Sequence, residues 1–486
     1  MSEPSTRTKS PAMTLRAVSL ATSLALLTFA AGCASQRIIA SRTEALPRAT
    51  LGVPGVGEAQ LDPGFWIQRQ PAANTPLLDV AMVAARNADL FARDGSMHDL
   101  TAMPATLTGV QVRGWIEGMS SRPTRTLYDM QGKQVQAAAL DALTKNLALD
   151  AIPANQSTRF GLVVARATMR SFPTLQRVFS RAGDTDIDRW QESAEFPGTP
   201  VVIAHASADG KWLFVVSPRY AAWTPAHFVA EGTRDKVLSY YTDQGPYRVI
   251  TGAKPRLVYT PDNAALSELQ LDMSTRLPDI GTTNAATIQS QAPAYHWTVR
   301  MPLRLDDGSL DFALALLPRT ADSHLGPLPL TRANIIGQAF KFLGERYGWG
   351  HDYNSRDCSG FVSEIYASMG LLLPRNTSAQ AVSPVFKRTH FEAGAARSTR
   401  MAAIDVLDVG DLIYIPGHVM MYIGRIGNTP YVIHDTNGGT VLDADGVPRS
   451  LKLNGVSVTP LTPLHIDAET DYIDRITNIV RVVQTP

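Results

Sequence analysis

Tyr347-Gly-Trp-Gly-His-Asp-Tyr-Asn-Ser-Arg-Asp-Cys358-Ser-Gly-Phe361 reads as a glycine-punctuated loop running into a helix. Beyond it, Phe361, Val362, Ile365, Tyr366 and Met369 recur at helical spacing, and Gly370 marks the stop. Cys358 therefore falls in the first turn of an amphipathic helix. The partial positive charge of a helix N-terminus favours thiolate over thiol, and the thiolate is the nucleophile. Its neighbours Asp357 and Ser359 are polar, unlike those of a cysteine used as core filling.

A nucleophile needs a base, and the chain downstream supplies candidates. Thr331 is placed to cap a helix carrying Ile335, Ile336, Ala339, Phe340 and Leu343. After the Cys358 helix the pattern turns to strands: Asp411 to Ile415, Gly417 to Gly424, and Tyr431 to Thr436. His418 opens one strand and His434 closes the next, so antiparallel pairing brings the two rings together. A thiolate, an imidazole base and a group that fixes the imidazole tautomer are the parts of papain-like chemistry.

The N-terminus reads as an export signal. Arg7, Lys9 and Arg16 precede an apolar run from Ala17 to Ala31, short for a membrane span and right for a signal core. It ends in Ala30-Ala-Gly-Cys33, which resembles the lipobox of bacterial lipoproteins. That resemblance implies lipidation of Cys33, loss of residues 1–32, and, with Ala34 following, an outer-membrane anchor facing the periplasm. The chain has two cysteines, so Cys358 is then the one thiol kept in an oxidising compartment. Catalysis is a reason to keep it.

At 486 residues the chain is long enough for about three domains. With 44% hydrophobic and 18% charged residues and a net charge of +1, it has material for a core and no bias toward nucleic acid. Residues 34–64 read as a polar tether, and 65–158 as an N-terminal stabilising segment with a helix over Leu77 to Arg93 and an extended run from Thr106 to Ile116. On that run Arg113, Trp115 and Glu117 alternate as strand packing. Residues 159–235 and 236–318 read as two small β modules, each with an Asp-Gly hairpin dipeptide, at Asp209-Gly210 and Asp307-Gly308. Both resemble bacterial SH3-like barrels. Trp190, Trp212, Tyr220 and Trp223 are the candidate ligand platform of the first, although Trp212 suits the core equally. A proline-rich linker then leads to the last domain, residues 325–486.

That last domain carries Tyr-x-Trp-Gly, Asp-Cys-Ser-Gly-Phe, Leu-Pro-Arg with Gln380 five residues on, Gly-Asp-Leu, Gly-His-Val-x-x-Tyr-Ile-Gly and Val-Ile-His. Together they resemble the NlpC-type family of bacterial cell-wall cysteine peptidases, in the branch with SH3-like modules. The expected fold class is multidomain α+β: two SH3-like β-barrels followed by a papain-like α+β domain. The resemblance implies cleavage of γ-D-glutamyl-diamino acid bonds in peptidoglycan stem peptides, with Cys358 as nucleophile, His418 as base and His434 as orienting residue. It implies the Cys358 backbone N–H and the Tyr347 hydroxyl as oxyanion donors, and Asp357 and Ser359 as readers of the free amine of the stem. Arg375 and Trp349 fall on the substrate side. One departure is His351, where the family usually has a second glycine after Trp-Gly; placed near the cleft, it would alter substrate range.

No cofactor is expected. No His-Glu-x-x-His run or paired cysteines are present, and His418 and His434 have no obvious third partner for a metal. The same residues also suit an amidase or acyltransferase of this fold, or a non-catalytic peptidoglycan-binding lipoprotein.

Overall fold

The computed structural model describes residues 51–442, 445–467 and 469–483. The expected signal peptide, Cys33 and most of the tether lie outside the described residues. No helix among the described residues is long and apolar enough to cross a membrane.

The last domain is built on one antiparallel sheet. Its six strands run in the order Lys387–His390, Asn478–Arg481, Leu412–Ile415, His418–Ile426, Thr429–Thr436, Gly455–Pro460. The helices Arg332–Phe340 and Cys358–Ser368 pack together, and the second lies on the His418 and Thr429 strands. Local chemistry sets their bounds. The Thr331 hydroxyl accepts the Asn334 N–H (3.0 Å) and the Asp357 carboxylate accepts the Gly360 N–H (2.8 Å), so each helix starts on a capped turn. The Cys358 helix stops before Gly370, whose φ of +83° takes the chain out of helical space.

The segment expected to be a tether is docked from Val53 onward. Val53, Val56 and Leu61 pack into the core that holds Phe361, Ile365 and Tyr431, and the Tyr431 hydroxyl donates to the Gly55 carbonyl (2.6 Å). Burying apolar side chains outweighed the polar look of the stretch. The stabilising segment divides its work. Helix Val80–Arg93 clamps the last domain, with Asn87 bonding both Gly370 O (2.7 Å) and the Leu372 N–H (2.9 Å). Its later part covers the first β module, where Ser120 bridges Ser171 O and the Trp223 indole N–H.

Thr106–Thr108 is a short strand, but from Gly109 to Met119 the chain is helix, which corrects the extended reading of Thr106 to Ile116. The buried residues Val112 and Ile116 are four apart, and Arg113 reaches Glu117 at the same spacing (3.9 Å).

The first β module is a seven-stranded sheet of residues 159–232. Its Asp209-Gly210 turn joins strands Pro200–Ala206 and Trp212–Val216, with Gly210 at φ +67°. Trp190, Trp212 and Trp223 are buried in its core, so they form no ligand platform. From 236 on, the strands pair differently. Tyr247–Ile250 lies between Arg276–Pro278 and Ser323–Leu325, while His296–Arg304 and Leu310–Pro318 form a separate hairpin turning at Gly308. Ser323–Leu325 carries this module past the expected boundary at 318, and Ile250, Leu277, Val299 and Leu317 give it its own small core.

Candidate active site

Cys358 opens its helix at the floor of a cleft of about 500 Å³. Tyr347, Trp349, Asp357 and Ser359 also line this cleft, and Glu192 and Tyr220 of the first β module complete one wall. The Cys358 sulfur is 3.8 Å from the Thr377 hydroxyl. Burial, helped by the negative charge of Asp357, pushes the thiol up to about 12, while the Val419 N–H and Thr377 pull the other way. The helix start therefore does not by itself yield a standing thiolate, which corrects the reading from position alone. The nucleophile has to be made by handing its proton to a base.

The base lies one residue from Val419. His418 Nε2 is 2.8 Å from His434 Nδ1, and His434 Nε2 is 3.1 Å from Thr459 Oγ1. Pairing of His418–Ile426 with Thr429–Thr436, in register at Met421 and Ile433, produces this contact. One set of tautomers makes His418 a base: its Nε2–H donates to His434 Nδ1, and the His434 Nε2–H donates to Thr459. His418 Nδ1 is then bare. Burial lowers His418 to about 4; burial and the neighbouring His418 hold His434 well below the usual imidazole range, so both rings rest neutral. The thiol and both imidazoles thus rest neutral, with the Val419 N–H, next in the chain to His418, bonded to the Cys358 sulfur.

Asp357 is a hub behind the cleft wall. Its Oδ1 accepts from Arg375 Nη1 (3.1 Å), the Ser359 hydroxyl (3.1 Å) and the Gly360 N–H (2.8 Å); its Oδ2 accepts from Arg375 Nη2 (2.9 Å) and the Gly350 N–H (3.0 Å). Burial opposes its charge, but Arg375, His351 and the Gly360 N–H outweigh that and hold the carboxyl at about 2. Arg375 has no donor left for a substrate. Its five N–H groups go to Asp357 twice, Ser359 Oγ (2.9 Å), Ser193 Oγ (2.8 Å) and His351 Nδ1 (2.7 Å). The expected substrate contact of Arg375 is corrected to a strut between the catalytic helix and the first β module.

His351 is likewise away from the cleft. It is 5% exposed, accepting from Arg375 at Nδ1 and facing Glu364 Oε1 from Nε2 (2.7 Å). Because Nδ1 is an acceptor, Nε2 carries the proton and donates to Glu364. Burial and Arg375 hold the ring neutral. It sits at φ +66° in the loop Trp349–Asn354, which is pinned to the first β module. Gln191 Nε2 donates to Gly350 O (2.7 Å), the Trp349 indole donates to Gln191 O (3.0 Å), and Arg166 donates to His351 O (3.0 Å) and Ser355 O (2.7 Å). A Cβ at Gly350 would meet the backbone of Gln191 and Glu192 at 2.8–2.9 Å, so the approach depends on glycine.

Two residues of the site, Glu192 and Thr459, escape a reading of the sequence. Glu192 comes from the first β module and accepts at Oε2 from the hydroxyl of Tyr220 (2.8 Å), the one member of the expected ligand platform that lines the cleft. Burial raises the Glu192 carboxyl, opposed by Tyr220 and Arg375. Thr459 lies opposite Val432 in the last strand pair, and only that register would have found it. Among the described residues, no group of three or more His, Cys, Asp or Glu is arranged to hold a metal ion.

Comparison with known proteins meets this geometry from outside. Residues 344–448 match the NlpC/P60 family, and residues 173–225 match the SH3 domain of SH3b1 type. Over 135 residues the chain is 31% identical to a probable endopeptidase of Corynebacterium glutamicum, covering 27% of this chain and 55% of that protein. Over 117 residues it is 28% identical to dipeptidyl-peptidase 6 of Lysinibacillus sphaericus, covering 24% and 36%. Over 97 residues it is 32% identical to a probable endopeptidase p60 of Listeria seeligeri, covering 19% and 16%. The matches thus span from 16% to 55% of these relatives' own length. Among solved structures, an NlpC/P60 endopeptidase from Photobacterium damselae subsp. piscicida superposes with a TM-score of 0.67 over 89% of this chain and 96% of that one, at 16% identity. That likeness is one of fold.

Proposed function

From a chain that carries an NlpC/P60 domain and an SH3b domain, we propose a cell-wall cysteine endopeptidase that hydrolyses γ-D-glutamyl-diamino acid bonds in murein stem peptides. The observation that carries the reading is the 2.8 Å contact of His418 with His434, next to a cysteine that opens a helix on the cleft floor. In this reading His418 Nδ1 takes the Cys358 proton as the sulfur attacks the γ-carbonyl carbon. The oxyanion is met by the Cys358 N–H and the Tyr347 hydroxyl. The imidazolium then protonates the leaving amine, and the thioester is hydrolysed by water that His418 deprotonates.

Substrate choice follows from which carboxylate is still free. Asp357 and Ser359 are committed to Arg375, so they act on the loop, and Glu192 is the carboxylate placed for a stem-peptide ammonium. An amide-linked stem would leave that charge unpaired. This favours short, trimmed peptides over intact wall. The finer architectural reading, that residues 236–318 form a second SH3-like module, is supported by four strands that share one small core. The export reading completes the proposal: a lipid on Cys33 would hold the enzyme at the outer membrane, and incorporation of labelled palmitate, lost in Cys33→Ala, tests it.

The deciding experiment is mass spectrometry of products from residues 35–486 given L-Ala-γ-D-Glu-diaminopimelate and the same peptide N-acylated. Cleavage of the free-amine form, abolished by Cys358→Ala in a folded chain, is the expected result. Cleavage of neither peptide overturns the proposal. Equal cleavage of both keeps the endopeptidase and removes the amine selection assigned to Glu192.

A further inference from the structure

A second cavity, of about 300 Å³, lies where the SH3b domain, the following β module and the NlpC/P60 domain meet. That is about the volume at which ligand pockets begin, and domain junctions are where they concentrate. None of its lining residues is shared with the catalytic cleft. Ala367 and Gly370 place it at the C-terminal end of the Cys358 helix, about 15 Å along the axis from the residue that opens it.

The polar groups of its wall are left incomplete. Thr275 is 4% exposed, and among the described residues nothing bonds its hydroxyl. Arg219 Nη1 is also buried without a partner among the described residues. Glu195, 7% exposed, accepts from the Ser217 hydroxyl at Oε1 (2.6 Å) and from the Thr199 hydroxyl; burial raises its carboxyl, and the Arg219 charge opposes that rise. Buried donors without acceptors are uncommon in folded proteins, and two of them on one cavity wall, Thr275 Oγ1 and Arg219 Nη1, need an explanation. Phe196, Tyr241 and Pro327 supply the apolar remainder of the wall.

We propose that this cavity is a second ligand site, for a free amino acid: its carboxylate on Arg219 and Thr275, its ammonium on Glu195, and an apolar side chain against Phe196, Tyr241 and Pro327. The charge pattern selects this class. A hydrocarbon would leave both donors unpaired, and a phosphate would satisfy Arg219 while facing the Glu195 carboxylate. A zwitterion brings an acceptor and a cationic donor on one carbon, matching a wall that holds two free donors and a carboxyl. The inference goes beyond the peptidase reading and does not depend on it.

Isothermal titration of the full chain with L-leucine, D-leucine and L-phenylalanine tests the site. At least one binds with a stoichiometry of one, and its binding weakens at least about tenfold in Arg219→Gln and in Thr275→Val, while Glu192→Gln, in the cleft, leaves it unchanged. Leucinamide, which lacks the carboxylate, and N-acetyl-leucine, which lacks the ammonium, bind the unmodified chain at least about tenfold more weakly than leucine. No binding of any of the three at millimolar concentration overturns the proposal, as does binding that ignores both cavity variants or is lost only in Glu192→Gln. Equal affinity for leucine and its two blocked forms overturns it too. The blocked ligands keep the test decisive if Arg219→Gln fails to fold.

Discussion

Thr459 decides which nitrogen of His434 carries a proton. Removing its hydroxyl leaves the buried His434 Nε2–H without an acceptor and frees the ring to turn its proton toward His418. In that tautomer His418 Nε2 becomes the acceptor, its own proton moves to Nδ1, and the base is lost. Thr459→Val is therefore expected to lower kcat by about tenfold or more with KM unchanged, since Thr459 does not line the cleft, and Thr459→Ser to restore it. Steady-state kinetics on the tripeptide check this; a change confined to KM would contradict it. Asp357 supports a second expectation. Its carboxyl drops from 3.8 to about 2 on folding, so the stability it contributes is full above pH 4 and is lost as pH falls through 2. That contribution is about 2 kcal/mol. Urea titrations of Asp357→Asn should show a deficit against the natural chain that shrinks by this amount between pH 5 and pH 2. A deficit that does not change with pH would assign the loss to packing. Cys358 and His418 were legible because each opens its helix or strand, and His434 because it falls near the close of the next strand. Thr459 was not, because a buried threonine in a strand looks the same whatever ring lies across the sheet.

The loop Trp349–Asn354 and the first turn of the Cys358 helix form one packed element. A Cβ at Gly360 would run into the His351 ring, so the usual helix gain of about 1 kcal/mol from Gly→Ala is outweighed by overpacking of about 1–3 kcal/mol. Gly360→Ala should destabilise the natural chain and stabilise a His351→Gly chain, a sign change that thermal melts of the four-variant cycle will show. Additive effects would mean the ring moves aside. His351→Gly alone relieves left-handed strain of about 1–2 kcal/mol but costs two charge-assisted hydrogen bonds of about 1.5–3 kcal/mol each. Net destabilisation is expected, although glycine suits the backbone better. The sequence showed His351 as a departure without showing its partners, because Glu364 and Arg375 reach it only once the helix and the following loop have folded. The segment Gly109–Met119 failed for a different reason. Arg113, Trp115 and Glu117 satisfy a two-residue alternation, and the four-residue spacing of Val112 with Ile116 was there to be weighed against it.

At the scale of the molecule, a buried chain of charges ties the domains together. Arg356, fully buried, bonds Glu364 (2.6 Å) and Glu345 (2.9 Å) of its own domain and Asp272 (3.1 Å) of the second β module. Arg166 of the SH3b domain pairs with the same Asp272. The line continues from Glu364 through His351 and Arg375 to Ser193, back in the SH3b domain. Such pairs add little net stability when whole, since desolvation offsets their attraction, but losing one member strands a buried charge at about 3–5 kcal/mol. Separating the domains would strand several. The domains are thus expected to unfold as one unit in spite of their separate apolar cores. The tryptophans allow a direct measurement, because Trp190, Trp212 and Trp223 report the SH3b core while Trp66 packs at a tilt against Tyr431 of the last domain. In urea, a chain keeping only Trp66 and one keeping only Trp223 should give the same midpoint. In Asp272→Leu, which removes the carboxylate that Arg166 and Arg356 share at the junction, the two midpoints should fall and separate. Midpoints that already differ in the otherwise natural chain would show that the apolar cores, and not the charge network, set the cooperative unit, and would leave residues 325–486 able to fold alone.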